Sequence, residues 1–432
     1  MAALSGLFYG INYMATDADV QFFSHLNGLV LSNNWGDLIR LLDKALVTGL
    51  DFTQITAASI DTQGDVHITL YAAHNAMLFQ VVELTGFAPS SLNQKYRIKG
   101  VPNTTQLILK PALDIVERSI TAIGTGKLAS LGYDIIFRDA GDVKRVYRAK
   151  NPRTEHPFIR IDETISDGTN SYPSNYAKYA TVGLIENMTH IDDYEDPTKL
   201  QLPLDSEDLT KNWRISGTGS GVIRGWGRWY TSTYGGLVEG YQDVMPPEQG
   251  NRAFSLVGDK DTFYLHNSTI TYSNYKDLKG CGLFKDGLDN SVVPNWFLMA
   301  YFTYTSAADY KSDRYASPLA WAETSAPFMV PGYDTANKIT ASRTAQPLVP
   351  DYHSGGSNLN RFTASNVPAL EVPFYDDSKY LRGSLRHVYY AGKKASTNNF
   401  TTPILADSSM YIWDAVSSSY NGGFYFYLGE LE

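Results

Sequence analysis

The chain has 432 residues, 43% of them hydrophobic and 19% charged, enough to bury more than one sizeable core, so two or three domains are expected. A net charge of -9 and a pI near 5.4 argue against a broad electrostatic footprint for nucleic acid or anionic lipid. One cysteine, Cys281, excludes an intrachain disulfide framework and a multi-cysteine zinc site.

The opening stretch "MAALSGLFYGINYMATDADV" lacks the basic start and long apolar run of a secretory signal, and no later run reaches the roughly 18 apolar residues of a membrane helix. A soluble, unexported product of a reducing compartment is expected. After "LSNNW", Leu38, Leu41, Leu42 and Ala45 recur at helical spacing, which predicts one amphipathic helix capped by Asn34 or Ser32 and ended by Gly49. From there to about residue 112, the alternation of Val66, Ile68 and Leu70 with His67, Thr69 and Tyr71, between turn-forming stretches, predicts a β-meander of about five strands. Residues 1–112 therefore read as a small N-terminal helix-plus-meander domain.

The remainder also reads as β. The chain carries 30 Tyr, 19 Phe and 7 Trp, in bursts punctuated by Gly, Ser, Asn and Asp, and aromatic residues suit pleated, half-buried surfaces. A larger, sandwich-like β domain is expected over 120–304, then an irregular loop or arm over 305–370, rich in Pro, Ser, Thr and Gly, then a C-terminal β segment over 371–432 packing with the central domain.

Near residue 145 the acidic chain turns basic: Lys144, Arg145, Arg148, Lys150 and Arg153 fall within ten residues with no carboxylate among them. As a strand, "VKRVYRAK" would carry charge on both faces, which suits an edge strand or exposed hairpin. The functional alternative is a docking surface. Asp192, Asp193 and Glu195 open a run of seven acids ending at Asp208, and the two runs are potential partners within one chain or between copies. Nucleic acid ranks behind both readings, given the acidic composition.

Signs of catalysis are few. The glycines of "SGTGSGVIRGWG" match neither phosphate-cradle pattern and read as a flexible hairpin between aromatic strands. The histidines are scattered, so His74 reads as a packed or hydrogen-bonded strand-end residue, and Cys281 as a buried inert thiol. The acidic run lacks the residue order of a calcium loop and reads as a solvated face rather than a catalytic pair or cation site. Trp226, Trp229, Tyr230 and Tyr234 could stack on sugar rings, which keeps a host-surface glycan-binding adhesin or fibre-associated protein as the alternative function. A polysaccharide depolymerase would need two carboxylates close together in a groove.

The segments "AAHNAMLFQVVELTGFAPSSLNQKYRIKGVPNTTQLIL", "LASLGYDIIFRDAGDVKRVYRAK", "PFIRIDETI", "FSLVGDKDTFYL" and "YLRGSLRHVYYAG", in this order, resemble segments of virion structural proteins of tailed bacteriophages. Tyr133, Tyr147, Arg160, Asp162, Gly258, Asp259, Phe263, Tyr264 and Gly383 occupy the matching positions, with Tyr133 where tryptophan is expected. The resemblance implies a small β domain before a larger one. It also implies a non-enzymatic part of the tail baseplate or of the head–tail neck or collar, made in the host cytoplasm and incorporated in the virion. Such a part assembles as a ring-like homo-oligomer against other virion proteins, with no cofactor and no catalytic residue to carry over.

Overall fold

The structure is a computed structural model and describes residues 16–165, 176–216, 223–234, 245–271, 276–286, 294–302, 328–333, 339–347, 370–390, 401–417 and 422–432. It is mainly β, with 49% strand and 7% helix. Three sheets carry the fold. The N-terminal sheet orders its strands Leu50–Asp51, Thr125–Leu128, Val81–Thr85, Lys95–Asn103, Gln106–Pro111, Val66–Leu70, Ile55–Ile60. The middle sheet runs Tyr301–Phe302, Gly227–Ser232, Lys178–Ile185, Phe158–Asp162, Lys144–Ala149, Tyr133–Arg138, with Gln201–Leu202 as a short addition on Lys178–Ile185.

The large sheet starts with Gln21–Ser24, which pairs antiparallel with Phe254–Gly258. It continues through Thr262–Ser268, Lys276–Leu283 and Trp296–Met299 to the C-terminal strands Gly422–Glu430, Ser409–Ser417 and Thr402–Ala406. Its strands Phe254–Gly258, Thr262–Ser268, Lys276–Leu283 and Trp296–Met299 are buried along their whole length because both faces are covered. On Thr262–Ser268, Phe263 and Leu265 enter a core shared with the other two sheets. Tyr264 instead enters a second core, where the sheet folds back on its own C-terminal strands, and its ring lies 6.4 Å from that of Phe426. This is the sandwich-like arrangement that alternating and doubly buried strands dictate.

The helix forms where expected, Asp37–Leu42, and runs on as a π-helical turn, Asp43–Thr48. Gly49 ends it at φ +74, where a Cβ would sit 2.2 Å from the Leu128 carbonyl oxygen, so only glycine fits. The cap differs from expectation: Gly36 holds the N-cap position without a side-chain bond. Ser32 instead donates its hydroxyl to Asp37, and Glu163, from the middle sheet, accepts the Ile39 amide at 3.2 Å. A carboxylate brought by tertiary contact replaces the local cap.

The expected boundaries shift. The N-terminal sheet closes only with Thr125–Leu128, and residues 21–24 belong to the large sheet, so a unit of 1–112 lacks one strand of its own sheet and contains a strand of another. Gln21 joins the two: its amide donates to the carbonyls of Val81 and Ala129 at 2.8 Å each, and its oxygen accepts the Val81 amide at 2.9 Å. Residues 120–304 divide between the middle and large sheets. Within 305–370, Phe328–Tyr333 and Ile339–Pro347 are paired strands of the large sheet rather than arm; most of the rest of that segment lies outside the described residues. The C-terminal strands complete the same sheet. Among the described residues no helix is long and apolar enough to cross a membrane.

Candidate functional site

The basic strand is not an edge. Lys144–Ala149 lies between Tyr133–Arg138 and Phe158–Asp162 and pairs with both. A central strand tolerates these charges because their partners come from elsewhere. Arg145 is 1% exposed. Its Nε lies 3.3 Å from Asp43 Oδ2 on the helical segment, and its Nη2 2.6 Å from Asp142 Oδ1. Burial, which would lower the Arg145 pKa, is outweighed by these two carboxylates, which hold it above the ordinary value. Tyr147 donates its hydroxyl to the other Asp43 oxygen at 2.7 Å. The Arg148 guanidinium lies 4.3 Å over the Phe158 ring, and Arg153 meets Asp261 at 3.1 Å. Lys144 is half-buried opposite Asp162, while Lys150 is exposed.

The acidic run is likewise tied up locally. Asp192 lies 3.3 Å from Arg160, whose buried guanidinium also sits 4.3 Å from the Trp213 ring centroid. Asp193 accepts Lys199 Nζ at 2.6 Å and the His190 amide at 2.9 Å. Those donors outweigh desolvation and hold its carboxyl below the usual range. Asp205 pairs with Lys211 and Asp208 with Arg214, and Glu195 is exposed. Among the described residues the basic and acidic runs do not pair with one another.

The aromatic candidates separate. Trp229 is fully buried and donates its indole N–H to the Met299 carbonyl at 2.8 Å. Tyr230 is wedged between Tyr179 and Tyr301, ring centroids 5.0 and 5.4 Å away. Trp226 is half-buried, with the Lys211 ammonium 4.3 Å from its centroid, and Tyr234 is 46% exposed. The short strands Ile215–Ser216 and Ile223–Arg224 pair as a hairpin; the glycine-rich 217–222 between them lies outside the described residues. A different aromatic face went unread in the sequence. Tyr389, Tyr411 and Tyr427 form a half-buried ladder on the outer side of the C-terminal strands, the last two with centroids 5.4 Å apart. Beside it Glu430 accepts from Ser409 at 2.6 Å and from Tyr427 at 2.5 Å. The signal was present in "GFYFYLG", where Tyr425 and Tyr427 alternate with the core residues Phe424 and Phe426.

The three sheets converge on the turn "GDKDT", residues 258–262. Asp261 Oδ1 lies 2.8 Å from His156 Nε2, and the His156 Nδ1 accepts the Arg153 amide at 2.8 Å. The other Asp261 oxygen meets Arg153 and, at 3.5 Å, Arg386. Asp259 accepts the Asp261 and Thr262 amides at 2.8 and 3.0 Å and meets His387 Nε2 at 3.0 Å. Burial would raise both carboxyls, yet these partners hold both below the usual range. Beside the turn opens a cleft of about 650 Å³ bounded by all three sheets. Its walls include Glu83, Lys95 and Lys127 of the N-terminal sheet, Lys150 and Arg153 beyond the basic strand, and Asp259 to Asp261 of the turn.

Elsewhere, His74 is held by the Ala76 amide on Nδ1 at 3.1 Å and has its pKa lowered, first by burial. Cys281 is buried, which pushes its thiol up. Among the described residues no three His, Cys, Asp or Glu side chains gather as a metal site. No family model matches the chain, and neither a curated protein nor a solved structure is detectably similar to it.

Proposed function

We propose that this chain is a non-enzymatic structural component of a tailed phage particle, assembling as a multimer in the tail baseplate or the head–tail neck. The observation that carries the reading is what the residues of the resemblance do: they fix strands, turns and sheets in place. Tyr133 and Phe263 meet edge to face, centroids 5.7 Å apart, across the middle and large sheets. Tyr147 reaches the helical segment through Asp43, and Arg160 pairs with Asp162 at 3.2 Å within its own strand. Gly258 lets the Thr262 carbonyl approach to where a Cβ would lie 2.1 Å away. Side chains used in this way specify a rigid shape, which a repeated particle component needs. The experiment is to tag the chain during phage production and separate particles from free protein on a density gradient. A constant ratio of tagged chain to particles supports the reading; recovery solely with free protein overturns it.

A second reading, a glycan-binding adhesin, draws support from the tyrosine ladder beside Glu430. Apolar ring faces next to fixed acceptors suit sugar C–H and hydroxyl groups. A glycan array probed with wild type and Tyr411→Ala distinguishes this reading from the first.

A further inference from the structure

We propose that the cleft between the three sheets binds a small acidic saccharide, a ligand with one or more fixed negative charges on a hydroxyl-rich frame. Its volume, about 650 Å³, falls in the range of small-molecule sites.

The charge balance of the walls points to the class of ligand. Two carboxylates there face permanent cations, Glu83 at 3.3 Å from Lys127 and Asp261 at 3.1 Å from Arg153, while Asp259 hydrogen-bonds the His387 imidazole. Asp19 also lines the cleft; it makes no ion pair among the described residues but acts electrostatically on the buried Arg97. Lys95, Lys150 and Lys260 also line the cleft and make no salt bridge among the described residues, Lys95 lying across the strand pair from Glu83. Each comes from a different sheet or its flanking turn, and the lining as a whole carries five cationic side chains, Lys95, Lys127, Lys150, Arg153 and Lys260, against the four carboxylates of Asp19, Glu83, Asp259 and Asp261, a net excess of one positive charge. A cleft edged by excess charge of one sign raises the local concentration of ligands of the opposite sign.

The rest of the lining fits a sugar rather than a bare ion. The matched carboxylates are fixed acceptors for hydroxyl groups. Val47 and Leu131 supply apolar surface for the ring C–H face. Tyr133, also in the lining, is 3% exposed, and its hydroxyl has no hydrogen-bond partner among the described residues. The inference holds whether or not the chain is a particle component.

The test is titration calorimetry on the full chain at low and high salt. The probes are a galacturonate trisaccharide, the neutral galactose trisaccharide and glucose 6-phosphate. Binding by either acidic sugar, weakened by salt and absent for the neutral one, supports the site. Which acidic sugar binds more tightly tells whether the anion is carboxylate or phosphate. The double variant Lys150→Gln/Lys260→Gln should lose at least about tenfold in affinity. Single Lys95→Gln should lose part of that, and Lys44→Gln, on the helical segment, none. Both Lys150 and Lys260 are exposed, so folding of the double variant, checked by circular dichroism, should be unchanged. Equal binding of the neutral sugar, no binding of either acidic sugar, or wild-type affinity in the double variant overturns the proposal.

Discussion

Reversing Arg145 to Glu should unfold the protein far more readily than reversing Lys150, although both stand in the same basic run. The Arg145 side chain is 2% exposed and holds Asp43, itself 19% exposed. Removing one partner of a buried pair costs about 3–5 kcal/mol. Asp43 keeps some water and a second cation, Arg138, at 3.4 Å, so Arg145→Met should cost about 2 kcal/mol. The contact with Asp142, 66% exposed, adds little. In Arg145→Glu a second carboxylate faces Asp43. Two like charges about 4 Å apart at an effective dielectric near 20 repel by about 4 kcal/mol, raising the total to about 6 kcal/mol. Exposed Lys150→Glu should stay within about 0.5 kcal/mol of wild type. Urea unfolding followed by tryptophan fluorescence measures both. Equal midpoints for Arg145→Glu and Lys150→Glu would refute the claim that the basic strand is held by intrachain partners.

Arg97 is buried and donates to the carbonyls of Asp17, Val20, Phe79 and Leu428 at 2.7–2.9 Å; Arg97→Met should cost at least about 3 kcal/mol, and hydrogen exchange should show Gly422–Glu430 opening first. Burial pushes the Glu163 carboxyl up to about 7. The stability this gives is full below the unfolded carboxylate range and is lost as pH rises through about 7, so Glu163→Gln should flatten that loss in stability measured from pH 4 to 8. Trp229→Ala should cost about 3–5 kcal/mol as a core truncation, while Tyr234→Ala leaves thermal unfolding unchanged; the reverse order would mean that the aromatic strand faces solvent.

The β character, the helix and its glycine stop, His74 and Cys281 were all legible because each rests on a local rule: period, left-handed backbone or burial of an apolar neighbourhood. The setting of the basic strand was not. Its charges look intolerable in a central position until Asp43 and Asp261, each about a hundred positions away, arrive beside it, and no local pattern announces such pairs. The same holds for Gln21–Ser24, whose strand partner begins at Phe254, and for Glu163 at the start of the helix. Trp229 and Tyr230 were misplaced for another reason. Alternation assigns one face of a strand to solvent, but the middle sheet is covered on both faces here, by the shared core on one side and the Tyr179–Tyr301 cluster on the other. The cleft was unreadable because its lysines come from three sheets.

If the chain is, as proposed, a rigid and repeated part of a phage particle, an electron cryo-microscopy map of the intact virion should show several symmetry-related copies in the neck or baseplate, each with all three sheets in their present arrangement and Arg145 turned toward its own helix. A map whose neck and baseplate densities are fully occupied by other chains would contradict it.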